Sequence, residues 1–141
     1  MLKLPEFVSN NTMGVLCTSD DHCNPSGATV FFMVENDKLY CLTHGDSTKA
    51  KHAQTNKHAC FVVVDYTQFE QAQIYGDVCV VDKPVDFVSK LQQNIETASE
   101  QANTMPPYTL IKGSSPVVIQ LTPKLVKHFR PGIGMTIIKD K

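Results

Sequence analysis

The chain has 141 residues, of which 42% are hydrophobic and 19% charged, a composition typical of a globular protein with a sizeable core. Thirteen basic and fourteen acidic residues give a net charge of −1, and the sequence has neither the basic excess nor the clustering of basic residues that a nucleic-acid-binding surface normally needs. We therefore expect a single domain over residues 1–141 and no nucleic-acid partner.

No apolar run approaches the roughly 20 residues that a membrane-spanning helix needs. The N-terminal stretch MLKLPEFVSNN lacks the apolar core flanked by basic residues that marks a signal peptide. The five cysteines are odd in number and form no CxxC pair, which suits reduced, structural thiols better than a disulfide framework or a zinc site. These features predict a cytoplasmic protein without a membrane partner.

The first third of the chain predicts a short helix followed by strands. In chain order these are a helix at 4–11 and strands at 13–19 and 28–34. Asn36 and Asp37 then predict a two-residue hairpin turn, because both residues tolerate positive φ. That turn places Glu35 opposite Lys38, a favourable pair across the two strands.

The stretch 39–64 predicts a strand, a turn, a short helix and a second strand. Asp46 or Ser47 is suited to cap the helix, but Lys49 and Lys51 lie in or near its first turn, where the helix dipole disfavours cations. A bound anion would resolve this conflict, because helix amides, the hydroxyls of Ser47 and Thr48, and a lysine make a phosphate site. The alternative is that both lysines are ordinary solvated residues on a surface helix.

The strand predicted at 71–81 alternates, with a polar face of Gln71, Gln73 and Tyr75 that could line a ligand groove. Gly76 interrupts it, which predicts a bulge, a bend or the close approach of another backbone. An apolar stripe then predicts a helix of about five turns up to residue 102. Strands at 116–121, 124–129 and 135–138 complete a mainly β fold with helices, in which the long helix follows the fifth strand.

Two motifs in this order of elements match one known family. Thr43 followed by Ser47-Thr48-Lys49 at the opening of a short helix is similar to that family's phosphate-contacting segment. Gln71, five residues before Gly76, is similar to a glutamine that touches the flavin ring in the same family. The chain thus resembles the FMN-binding split-barrel proteins, the group that includes pyridoxamine 5′-phosphate oxidase, and the resemblance is strongest over residues 14–81.

The resemblance implies an antiparallel split β-barrel that binds FMN as its cofactor. It also implies an oxidoreductase with a small-molecule substrate, and a homodimer with the cofactor at the subunit interface. No catalytic residue is assigned. The cofactor-binding residues that the resemblance implies are Leu42, through its backbone, and Thr43, Ser47, Thr48, Lys49 and Gln71.

Several positions depart from the family's oxidases. Gly27 and Phe32 stand where those oxidases carry an arginine and a lysine for the phosphate, and Thr48 replaces a further arginine. His128 and Arg130 are in reversed order relative to the oxidases' substrate-binding segment. The resemblance therefore implies a flavoprotein of this superfamily and does not favour oxidation of pyridoxamine phosphate itself.

A second interpretation is a non-catalytic split-barrel module that holds flavin or haem. His44 or His128 would then ligate the haem iron. The five histidines do not share one helical face, so a metal cluster is not expected. Cys41 lies in a strand without an obvious base, and we expect a packed thiol there.

Overall fold

The computed structural model describes residues 1–102 and 115–140. Within these residues, none of the helices combines the length and apolar character that crossing a lipid bilayer requires. The helices are α1 (Glu6–Ser9), α2 (Thr48–Thr55) and α3 (Val85–Gln101). The strands are β1 (Met13–Ser19), β2 (Pro25–Phe31), β3 (Met33–Glu35), β4 (Lys38–His44), β5 (His58–Asp65), β6 (Glu70–Val81), β7 (Pro116–Arg130) and β8 (Gly134–Lys139).

The strands form one antiparallel sheet in the order β2-β1-β5-β6-β7-β4-β3, with β8 paired to β7. One side of β7 pairs with β6, while its other side pairs first with β4 and then with β8. The sheet curls into a half-barrel, which confirms the predicted split barrel. The hairpin prediction is also confirmed, since Asn36 and Asp37 have φ of 52° and 59° and Glu35 pairs with Lys38.

The strand predicted at 28–34 is divided in two. It breaks at Phe32, whose amide donates a hydrogen bond to the Thr12 carbonyl at 2.9 Å. The part before the break, β2, pairs with β1, and the part after it, β3, pairs with β4. The long helix α3 is present where it was predicted. It follows six strands and not five, because the strand predicted at 28–34 is observed as the two strands β2 and β3.

The two strands predicted at 116–121 and 124–129 are one continuous strand, β7. The register between β6 and β7 shifts at Tyr75 and Gly76, so that Lys124 has no partner in the ladder. Pro123 lies opposite Gly76 at this bulge, where a residue without an amide proton is tolerated. A Cβ on Gly76 would overlap the Thr122 carbonyl, so the predicted bulge and close approach are both confirmed.

The core has two parts, one on each face of β4. The barrel interior contains Leu16, Phe61, Ile74 and Leu121, among others. The second cluster lies between β4 and α3, where Tyr40 and Leu42 pack against Leu91 and Ile95 of the helix. The predicted stripe of α3 is buried from Leu91 to Ala98 and ends before Ala102, which is exposed. Because β4 is covered on both faces, its side chains are nearly all buried up to the turn that follows it.

Candidate functional site

The turn after β4 is fixed by buried side chains and backbone hydrogen bonds. Thr43 and His44 each retain 4% of their exposure. The Gly45 amide donates to the Ser115 carbonyl at 3.1 Å, and the Ser47 amide donates to the His44 carbonyl at 3.0 Å. The chain thus enters α2 in a defined position beside the end of β4.

The first turn of α2 carries a cation and no acid. Ser47 is the N-cap, and its Oγ accepts a hydrogen bond from the Ala50 amide at 3.2 Å. Thr48 is exposed and Lys49 is half-buried. The ion pairs among the described residues do not include Lys49. The helix dipole and Lys49 therefore make a positive site without a negative side chain in that turn.

Two contacts hold α2 against the barrel. Ala50 and Ala53 are buried in the barrel core. His52 Nδ1 and the Thr18 hydroxyl are 3.0 Å apart, which links the helix to β1. The position of the helix start is therefore set by packing and not by Lys49.

Cys41 lies under this helix start. Burial raises the pKa of Cys41 to about 12, and the ammonium of Lys49 opposes that rise. Lys49 thus favours the thiolate form of Cys41, but burial has the larger effect. Cys41 itself remains a neutral thiol at ordinary pH, as expected for a packed residue.

Leu42 can offer only its backbone to a ligand. Its side chain is buried in the cluster beneath α3. On one side its backbone is paired with Val118 of β7. On the other side the ladder with β3 ends at Tyr40, so within the described chain this edge of β4 has no strand partner from Cys41 to Thr43.

Gln71 is separate from the other five predicted residues. It is half-buried on β6 and pairs with Val64 of β5. The contact between β1 and α2 lies at the level of Cys60 of β5. Val64 lies four residues, or about 13 Å, further along β5 than Cys60. The structure thus brings Leu42, Thr43, Ser47, Thr48 and Lys49 together and leaves Gln71 further along the sheet. A ligand that contacts both must be elongated.

A groove lies on the outer face of the sheet next to Gln71. It has a volume of about 560 Å³ and is lined by side chains that include Val15, Thr29, Val62 and Val64. This volume lies within the range of small-molecule sites. The sequence prediction missed these residues, because an apolar run such as 59–64 reads as core on both faces. The alternation in β1, whose odd-numbered residues face outward, is the signal that indicates the groove.

Two of the positions that depart from the oxidases, Gly27 and Phe32, contribute no charge to the structure. Gly27 is exposed and has no side chain to contribute. Phe32 is buried in the barrel core, where its ring meets Phe61 edge to face with centroids 4.8 Å apart. Neither position supplies a cation.

The two histidines considered for haem lie far apart. His44 pairs with Pro116 at the start of β7, and His128 lies twelve residues further along that strand. His128 is buried, with Nε2 at 2.6 Å from Glu70 Oε2. The described residues contain no group of three histidine, cysteine or acidic side chains that could hold a metal ion.

Comparisons with known proteins identify similar chains. The sequence model of the pyridoxamine 5′-phosphate oxidase family matches residues 3–123. No curated protein matches the chain.

Solved structures with the same fold come from several bacteria. A pyridoxamine 5′-phosphate oxidase-related, FMN binding protein from Nostoc punctiforme PCC 73102 is 18% identical, with a TM-score of 0.61 over 89% of this chain and 79% of that one. General Stress Protein 26 from Bacillus anthracis str. Sterne is 15% identical, with a TM-score of 0.70 over 96% and 94%. A heme binding protein from Mycobacterium smegmatis is 13% identical, with a TM-score of 0.70 over 94% of this chain and 55% of that one. These likenesses show a shared fold.

Proposed function

The chain belongs to the pyridoxamine 5′-phosphate oxidase family, and on that premise we propose that it is an FMN-binding flavoprotein that acts as an oxidoreductase on a small molecule. The observation that carries the proposal is the start of α2, where Ser47 caps the helix and Lys49 lies in a first turn without an acidic residue. This is an arrangement that suits a phosphate. We further propose a cytoplasmic protein with one domain over residues 1–141.

The residues at α2 fit the phosphate of FMN. Lys49 would supply the charge, the hydroxyl of Thr48 and the free helix amides would supply hydrogen bonds, and Ser47 would keep the helix start in place. A lysine binds phosphate as a point charge, while an arginine offers two parallel hydrogen bonds. Because Thr48 replaces the arginine, we propose that Lys49 provides most of the electrostatic contribution to binding.

The flavin ring would extend from this turn along the outer face of the sheet. The open edge of β4 at Leu42 offers backbone groups close to the phosphate turn. Gln71 and the neighbouring groove lie further along, at a distance that an elongated nucleotide could span. When bound, FMN would supply the redox chemistry, while these residues would bind and orient it. Since Gly27 and Phe32 supply no cation, we do not assign pyridoxamine phosphate as the substrate.

A homodimer with the cofactor at its interface is part of the proposal. The outer face of the sheet carries exposed apolar side chains: Met13, which lines the groove, at 42% exposure, and Met135 and Ile137 of β8 at 51% and 54%. Met135 pairs with Phe129, which in turn pairs with Gln71, so this face is continuous with the proposed ring site. A second copy on this face would cover apolar surface and enclose the flavin.

The second candidate is a module that holds flavin or haem without turnover. A solved haem-binding protein shares the fold, which motivates the comparison. His44 and His128 are the candidate ligands, and the Nε2 of His128 would have to leave Glu70 before it could bind iron.

The absorption spectrum of the purified protein tests the proposal. We expect flavin bands, either as purified or after incubation with FMN and removal of free ligand. Bleaching of those bands by NADH or NADPH would support an oxidoreductase. Protein that stays colourless after incubation with FMN would contradict flavin binding. A Soret band on haem titration, lost in His44→Ala, would favour the second candidate.

A further inference from the structure

Two cysteines face each other across neighbouring strands. Cys17 of β1 and Cys60 of β5 are direct partners in the antiparallel ladder, and both are half-buried. Residues in such positions have Cα atoms about 4.5–5.5 Å apart and Cβ atoms at about the same separation. A disulfide needs Cα atoms about 4.4–6.8 Å apart and Cβ atoms about 3.5–4.5 Å apart. The two thiols therefore meet the requirement with a small closing movement.

The surroundings leave the pair open on one side. Gly27 of β2 is the next partner of Cys17, and a Cβ placed there would be 4.0 Å from the Cys17 Sγ. The absence of a side chain at Gly27 gives a small molecule access to that sulfur. On the other side, Cys60 pairs with Tyr75 of β6, which is itself exposed.

The other three cysteines differ from this pair. Cys41 is buried in β4, while Cys23 and Cys79 are exposed. Cys79 pairs with Gln120 in the ladder, and Cys23 lies in the turn between β1 and β2. Among the described residues, only Cys17 and Cys60 face another cysteine in the sheet.

We propose that Cys17 and Cys60 form a reversible disulfide within one chain, by exchange with small-molecule disulfides such as oxidised glutathione. In a reducing compartment such bonds are usually transient and responsive to redox conditions. The bond would tie β1 to β5 between the groove and the contact of Thr18 with α2. The proposal does not depend on flavin binding.

The exchange balances in two steps. The Cys17 thiolate attacks one sulfur of the small disulfide, whose S–S bond breaks and releases one thiol. Cys60 then loses its proton to water, and its sulfur attacks the Cys17 sulfur and expels the second thiol. Two protein thiols are oxidised to one disulfide, and one small disulfide is reduced to two thiols.

The environment assigns the order of attack. Burial, and then the neighbouring Cys17, raise the pKa of Cys60 to about 11. Cys60 is therefore a weak first nucleophile and suits the second step, in which its fixed position beside Cys17 offsets its small thiolate fraction.

Peptide mapping of the full chain tests the proposal. Cleavage before aspartate places every cysteine in a different peptide, with Cys17 in 1–19 and Cys60 in 46–64. The protein is equilibrated with oxidised glutathione, quenched in acid, alkylated and digested. We expect these two peptides to be joined, with loss of both free thiols, and to separate again after reduction by dithiothreitol.

Two variants and three other outcomes complete the test. Cys79→Ser should leave the joined peptides unchanged, whereas Cys17→Ser should abolish them and leave Cys60 open to alkylation. Free Cys17 and Cys60 after equilibration would overturn the proposal. A stable glutathione adduct on Cys17 or a bond between two chains would also overturn it. The same mapping on wild-type protein, together with non-reducing denaturing electrophoresis that separates single chains from linked pairs, remains decisive if a variant fails to fold.

Discussion

The imidazole of His128 and the carboxylate of Glu70 lie 2.6 Å apart between β7 and β6. Phe7 of α1 stacks on the imidazole, with ring centroids 5.8 Å apart and planes inclined by 6°. Both members of the pair are largely withdrawn from water. The contact therefore joins the N-terminal helix to the two longest strands of the sheet.

Replacing Glu70 by alanine should destabilise the protein. It leaves the buried imidazole of His128 without its partner, and such a loss costs about 1–3 kcal/mol in the free energy of unfolding. Urea denaturation measures the change. Glu100→Ala, at an exposed position of α3, is the matched control and should have almost no effect. Equal stability of the two variants would show that the pair contributes nothing.

Lys49→Ala should abolish retention of flavin. A hydrogen bond to a charged group contributes about 1.5–3 kcal/mol, so the dissociation constant for FMN should rise roughly 10- to 150-fold. Quenching of flavin fluorescence during titration measures it. Lys51→Ala removes a neighbouring exposed lysine and should change affinity little. If Lys49→Ala binds FMN as tightly as the wild type, both lysines are ordinary solvated residues.

Gly76→Ala should destabilise the sheet at the bulge. Its Cβ would overlap the Thr122 carbonyl, which belongs to backbone held by the ladder and cannot move aside easily. Overpacking of this kind costs about 1–3 kcal/mol or more, which a lower urea midpoint would report. Gly27→Ala is the control, because the new Cβ meets Val15 at an ordinary 3.6 Å. Similar losses in both variants would contradict the role of close approach.

Asp77 should make stability depend on pH in the acid range. The hydrogen bond from Lys124, at 2.9 Å, lowers the pKa of Asp77 below its ordinary value of 3.8. The contribution of Asp77 to the free energy of unfolding is therefore complete well above pH 3.8. It is lost as the pH falls through the lowered pKa that Asp77 has in the folded state. Since both groups are partly exposed, we expect about 0.2–1 kcal/mol, less in high salt.

The comparison of wild type with Asp77→Asn measures this contribution. The difference in free energy of unfolding should be present at neutral pH and should shrink in acid. A difference that stays constant through the acid range would contradict the assignment.

Ile137→Lys should separate the proposed dimer. A charge on an apolar interface is costly to bury, so the sedimenting mass should fall from twice 15.6 kDa to 15.6 kDa. Val85→Lys changes a residue that is 79% exposed at the start of α3, away from the sheet face, and should leave the mass unchanged. A wild-type monomer would contradict the dimer itself.

The features that the sequence predicts well are local ones. Ser47 is recognisable as a helix cap because the bond that it accepts comes from Ala50, three residues away. The hairpin at Asn36 and Asp37 follows from the tolerance of these residues for positive φ, and Gly76 indicates a bulge because it interrupts an alternating strand. Each of these predictions needs only a few neighbouring residues.

The features that the sequence does not predict depend on distant partners. The break at Phe32 arises because its amide bonds to Thr12, outside the strand. Pro123 predicts the end of a strand, but it is tolerated within β7 because it lies at the bulge opposite Gly76. Cys17 and Cys60 become neighbours only through the register of β1 and β5. The groove likewise exists because the outer sides of these two strands are uncovered.

The three pairings of β7 have a consequence for folding. This strand joins β4, β6 and β8, and the residues that it pairs with in β4 precede it by about 80 positions. Contacts at such separations close slowly, because chain entropy is lost before the ladder forms. During synthesis, β4 and β6 must wait for β7 with unpaired edges exposed. Folding of the half-barrel is therefore completed only after residue 130 has left the ribosome, and earlier nascent chains are exposed to aggregation through those edges.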